Sequence, residues 1–153
     1  MRLKCLCIVI LSSLFALCIS SCSSHSEGSS FTSQLDSIDA FISQNSDDSA
    51  IKALKKLEKK AYSSYDRLGI YKRYFLLGEK KLAEKVLVKG LKKIPENPEL
   101  SAIYVNFLLR EGRLEEAFKI SRCLEKSNYA SLYSECVLRK ALASISEKGQ
   151  VVD

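Results

Sequence analysis

The chain has 153 residues, 46% of them hydrophobic and 27% charged, which is room for one modest domain of ordinary globular composition. Its formal net charge is +6, but Arg2 and Lys4 lie in a segment expected to be removed, leaving 22 Lys+Arg against 18 Asp+Glu. A balance of about +4, spread along the sequence, argues against nucleic acid as a partner.

The N-terminus reads as a targeting signal. Residues 1–4 (MRLK) form a short positive region, and residues 5–21 form an apolar one ending in Ile19, Ser20 and Ser21. Cys22 follows directly. An aliphatic residue, two small residues and then a cysteine resembles the lipobox of bacterial lipoproteins. That resemblance implies cleavage before Cys22, a diacylglyceryl group on its thiol, and acylation of the new amine by a fatty acid such as palmitate. It also implies a location in the bacterial cell envelope, anchored to a membrane outside the cytoplasm and facing the periplasm or the surface. The alternative is an uncleaved anchor, for which the 17 residues of 5–21 are at the short end. Lipid is the only non-protein group expected; no other cofactor is implied.

Residues 22–30 then form a polar tether rich in serine. It holds His25, the only histidine, where no partner is available to orient an imidazole for catalysis. Of six cysteines, Cys5, Cys7 and Cys18 leave with the signal and Cys22 takes lipid. Cys123 and Cys136 remain as a candidate disulfide in an oxidising compartment, or as buried thiols on apolar helix faces. Their spacing fits no metal site.

From Phe31 the apolar residues recur at helical spacing, with no period-2 runs long enough for a sheet. The first helix carries Leu35, Ile38, Phe41 and Ile42. A polar loop over 44–48 offers caps to a second helix bearing Ile51, Leu54, Leu57 and Ala61. A third starts at Ser63 or Ser64 and stops near Gly78. A fourth spans about 80–93 and is ended by Pro95, which disfavours helical backbone at Ile94. Asn97 and Pro98 start a fifth, which Gly112 closes. A sixth covers about 114–125 and a seventh about 129–146, leaving a polar tail over 147–153. The seventh has apolar side chains almost all round, as buried helices do, so it is expected either to mark a truncated array or to pack on a partner or a second copy.

The expected fold is therefore all-α, of stacked helical hairpins over residues 31–146. A period is visible within it. Gly78 and Gly112 lie 34 residues apart, as do Ala83 and Ala117. Ile70, Tyr71, Tyr74 and Phe75 pair at the same distance with Tyr104, Val105, Leu108 and Leu109. Gly78, Ala83, Pro95, Gly112 and Ala117 resemble the tetratricopeptide (TPR) pattern: a glycine closing helix A, a small residue five positions on, and a proline ending helix B. The resemblance covers about 64–126 as two units, with 31–62 a degenerate unit and 129–146 half of one. Departures are Arg67 and Ser101 at the position usually held by Trp, and Tyr71 and Val105 at the helix A glycine. A later small position holds Gly90 in one unit and Leu124 in the other.

TPR arrays bind protein or peptide segments along a groove lined by their A helices. The resemblance implies that Tyr65, Leu68, Lys72, Phe75 and Leu76 of one unit, and Glu99, Ala102, Asn106, Leu109 and Arg110 of the next, line such a groove. Lys72, Asn106 and Arg110 would grip a carboxylate or a peptide backbone. No catalytic set is expected: one tether histidine permits no triad, and the six glycines form no phosphate loop. The sequence points to an interaction scaffold rather than an enzyme. The alternatives are an accessory subunit of a transporter or solute-binding protein, and a truncated form of a longer TPR lipoprotein.

Overall fold

The computed structural model describes residues 30–149, with side chains to 146. The signal segment, Cys22 and nearly all of the tether lie outside the described residues. Within them the chain is all-helical, with seven α-helices and no strand. These are α1 (Phe31–Ser43), α2 (Asp47–Leu57), α3 (Ser64–Leu76), α4 (Lys80–Lys93), α5 (Pro98–Arg110), α6 (Leu114–Ser121) and α7 (Ala130–Gly149).

Their ends follow local chemistry. Ser63 and Asp66 form a capping box: Ser63 Oγ accepts from Asp66 N at 3.0 Å, and Asp66 Oδ2 accepts from Ser63 N at 3.0 Å. Asn97 Oδ1 accepts from Leu100 N at 3.0 Å, with Pro98 in the first helical position. Ile94 leaves the helix at φ −129° ahead of Pro95. The second and sixth helices stop short of their expected ends and tighten into 3₁₀ turns, Glu58–Lys60 and Arg122–Leu124. At the latter, Ser121 Oγ donates to Phe118 O at 2.9 Å and Cys123 Sγ to Ile120 O at 3.2 Å, side-chain bonds that compete with the regular ladder.

Three turns share one construction. Gly78 (φ 73°) and Gly112 (φ 74°) are left-handed and make matching hydrogen bonds. Glu79 N donates to Tyr74 O and Arg113 N to Leu108 O, both at 2.9 Å; Gly78 N donates to Phe75 O and Gly112 N to Leu109 O. Asn45 (φ 55°) occupies the same place between α1 and α2, where Ser46 N donates to Phe41 O at 2.9 Å. Five residues after each comes an alanine with no exposure at all: Ala50, Ala83 and Ala117. A larger side chain there would hold the two helices apart.

Packing is sequential. Each helix from α1 to α6 touches the next, except that α2 meets α3 more lightly, and α1 also touches α3 while α3 touches α5. One core cluster gathers Leu35, Ile38, Ala50, Leu54, Ile70, Tyr74, Ala83 and Val86; another gathers Leu87, Leu100, Val105, Leu108, Ala117, Leu124 and Cys136. Tyr71 and Phe75 pack against both and join them. Ion pairs bridge successive units: Arg73 with Asp39, Lys89 with Glu58 (2.6 Å) and Lys80 with Glu111 (2.7 Å). Each has at least one solvent-exposed member, so each contributes modestly, about 0–1 kcal/mol.

The two departures at Arg67/Ser101 and Gly90/Leu124 compensate each other. Arg67 is buried, and a Cβ on Gly90 would stand 2.8 Å from Arg67 Cδ and 3.1 Å from Leu100 Cδ1. Where Ser101 replaces the long side chain, Leu124 replaces the glycine, and both are buried. Large with small in one unit becomes small with large in the next, which conserves volume.

The seventh helix packs by one face. Cys136 is buried and Leu132 and Tyr133 are half-buried, but Val137, Leu138, Leu142 and Ile145 are exposed, Ile145 at 67%. Only one face of it meets the rest of the domain, chiefly α6 and the 3₁₀ turn that follows α6. Cys123 and Cys136 are free thiols; burial pushes the Cys136 thiol up, and a hydrogen bond with Ser121 opposes this.

Gly90→Ala is expected to destabilise the domain by about 1–3 kcal/mol through overpacking against Arg67 and Leu100, measured by urea unfolding. A second expectation concerns Tyr74, which is fully buried with no partner for its hydroxyl among the described residues. Burial first, then Glu58 and Glu79, pushes its phenol from 10.0 up to about 12. The folded state therefore prefers the neutral phenol. That preference is complete below pH 10 and is lost as pH rises towards about 12. Tyr74→Phe should gain about 1 kcal/mol at pH 7 by removing an unsatisfied hydroxyl. It should also lose less stability than the parent between pH 10 and pH 11.5 in the same unfolding experiment.

Candidate functional site

The α3 and α5 helices lie side by side and leave a hollow of about 480 Å³ between them. From α3 come Tyr71, Lys72, Phe75 and Leu76; from α5 come Ile103, Asn106, Phe107 and Arg110. Each helix contributes side chains three and four residues apart, so one face of each meets the hollow. The walls are mostly apolar. Tyr71 and Phe75 rings stand 5.8 Å apart, tilted by 33°, and Phe107 stacks on Tyr104 at 6.4 Å.

The polar groups are few and of one kind. Arg110 lies over the Phe75 ring, its guanidinium carbon 5.8 Å from the centroid. Among the described residues neither Lys72 nor Arg110 has a carboxylate partner, and no Asp or Glu lines the hollow. Burial raises the Tyr71 phenol, and the Arg110 charge partly offsets it. Asn106 is exposed and offers an amide that both donates and accepts. An apolar trough with two free cations and one amide suits an extended segment that carries an apolar side chain and a carboxylate.

Of the residues implied by the sequence, Lys72, Phe75, Leu76, Asn106 and Arg110 come together here. Others stand apart from the hollow. Tyr65 is exposed in the first turn of α3, ten residues or about 15 Å along the helix from Phe75. Leu68 and Leu109 pack into the second core cluster and Ala102 is buried in it. Glu99 accepts a hydrogen bond from Ser64 Oγ at 3.3 Å. Tyr71, Ile103 and Phe107 line the hollow without having been expected to. The apolar pattern marks them as core, and only the side-by-side placement of α3 and α5 turns part of each towards the trough.

A polar network braces the far side of α5. Tyr104 Oη donates to Glu84 at 3.1 Å, and Arg113 bonds both Glu84 and Glu116, the latter through two contacts of 2.7 Å. These bonds hold the Glu116 carboxyl below its usual range and tie α4, α5 and α6 together. Among the described residues no group of three or more His, Cys, Asp or Glu is placed to hold a metal ion, and no helix is long and apolar enough to cross a membrane.

No protein-family model matches the chain. It is similar to an uncharacterized protein of Treponema pallidum (strain Nichols), 29% identical over 112 residues, which is 73% of this chain and 17% of that protein. The chain thus spans about a sixth of the length of the relative it matches.

Proposed function

We propose that the chain is a lipid-anchored envelope lipoprotein whose TPR-like helical hairpins form a protein-interaction scaffold, with the α3/α5 hollow as the docking groove. The observation that carries this reading is the convergence of Lys72, Phe75, Asn106 and Arg110 on one hollow without an opposing carboxylate. The matching turns at Asn45, Gly78 and Gly112, each followed by a buried alanine, support the repeat. The anchor rests on Ile19-Ser20-Ser21-Cys22. The role is binding, not catalysis: the partner is a protein or peptide segment with an apolar side chain and a free carboxylate.

Two experiments test the two halves separately. A palmitate analogue fed to cells should label the parent chain and leave Cys22→Ser unlabelled, and the mature N-terminus should be Cys22 by mass spectrometry; equal labelling of the variant would refute the anchor. For the groove, Lys72→Glu with Arg110→Glu should reduce partner recovery from solubilised envelope by roughly tenfold or more. Both residues are exposed, so the thermal midpoint should hardly move. Unchanged recovery would refute the groove. A solute-binding protein recovered one-to-one would instead favour an accessory role in transport.

A further inference from the structure

A second hollow lies between α2, the turn after it and α4, with Arg67 of α3 at its wall, and shares no lining residue with the α3/α5 groove. We propose that it binds a phosphate group, carried by a small anion or by a lipid headgroup.

The hollow measures about 460 Å³ and is lined by Lys55, Lys59, Lys89, Lys92 and Lys93, with Glu58 and Arg67. A neighbouring hollow of about 370 Å³ shares Lys55 and Lys59 and adds Lys52, Lys56 and Asp48. The charge of the whole domain is concentrated here. Residues 30–149 hold 22 Lys+Arg and 16 Asp+Glu; eight of those cations and two of those acids line the two hollows, so 14 of each remain elsewhere. The even spread suggested by the linear sequence is therefore wrong in three dimensions.

Spacing explains how the charge gathers. Lys52, Lys55, Lys56 and Lys59 follow the i, i+3, i+4, i+7 rule on α2 and the turn after it, and Lys89, Lys92 and Lys93 do the same on α4. Like charges at this spacing repel and cost stability. A row of solvated lysines on a lone helix would need no further explanation. Here Lys55 and Lys59 of the first row and all three lysines of the second face one hollow, and Glu58, the one carboxylate lining it among the described residues, already pairs with Lys89 at 2.6 Å.

Arg67 is the independent observation. It is 2% exposed and lines the same hollow. Its Nη2 donates to Ala61 O at 2.8 Å, but among the described residues its Nε has no acceptor and no carboxylate pairs with the guanidinium. A buried cation without a counter-ion is costly. A phosphate brings up to two negative charges and several acceptor oxygens, which suits a guanidinium beside flexible ammonium groups.

The test uses the full chain in non-ionic detergent, titrated with inorganic pyrophosphate by calorimetry. In parallel, the chain is floated with vesicles of phosphatidylcholine alone and of phosphatidylcholine with phosphatidylglycerol, reading the difference between compositions. Saturable pyrophosphate binding without a vesicle preference assigns a small anion; a preference for phosphatidylglycerol without pyrophosphate binding assigns a headgroup. In either arm Lys55→Gln with Lys92→Gln should weaken binding roughly tenfold. Lys119→Gln with Lys126→Gln, the same charge change elsewhere, should not. All four lysines are exposed, so the fold should survive both pairs of changes. No binding in either arm, or equal weakening by the two variants, would overturn the proposal.

Discussion

The structure depends on a helix reversal that only certain residues permit. At Asn45, Gly78 and Gly112 the backbone turns left-handed, which costs most L-residues about 1–2 kcal/mol and glycine nothing. Asparagine tolerates it through its short polar side chain. After each turn the chain folds back, and a buried alanine lets the second helix of the pair approach the first. Once three such pairs exist, α1, α3 and α5 lie beside one another, and the trough between α3 and α5 follows from their placement.

Much of this was legible beforehand because it rests on local chemistry. Caps, prolines and left-handed glycines act over four or five residues, so Ser63, Asn97, Pro95, Gly78 and Gly112 mark their boundaries without tertiary information. Asn45 was less visible. Its loop reads as polar and capping, and only its positive φ reveals it as the counterpart of the two glycines. The FLL triplets at 75–77 and 107–109 catch the eye but sit 32 residues apart, out of step with the turns that carry the structure.

Other features are tertiary and were hidden. Arg67 and Ser101 look like defects at a bulky position until Gly90 and Leu124 are seen to compensate them. The TPR resemblance implies Leu68, Ala102 and Leu109 as groove residues, but they are drawn into the core, while Tyr71 and Phe107 serve core and trough together. The lysine rows on α2 and α4 look like two solvated faces in sequence; the meeting of Lys55 and Lys59 with Lys89, Lys92 and Lys93 across one hollow depends on how the helix pairs stack. The apolar stripe of Leu138, Leu142 and Ile145 faces solvent in the single chain.

A partner docked in the trough between α3 and α5 would lie within reach of Leu76. A photo-reactive amino acid placed at Leu76, which is 73% exposed and lines the trough, tests this docking in living cells against the same group at Lys126, outside the trough. Docking in the trough should give a covalent adduct of one discrete mass from position 76 and none from position 126. No adduct at 76, or the same adduct from both positions, would contradict it.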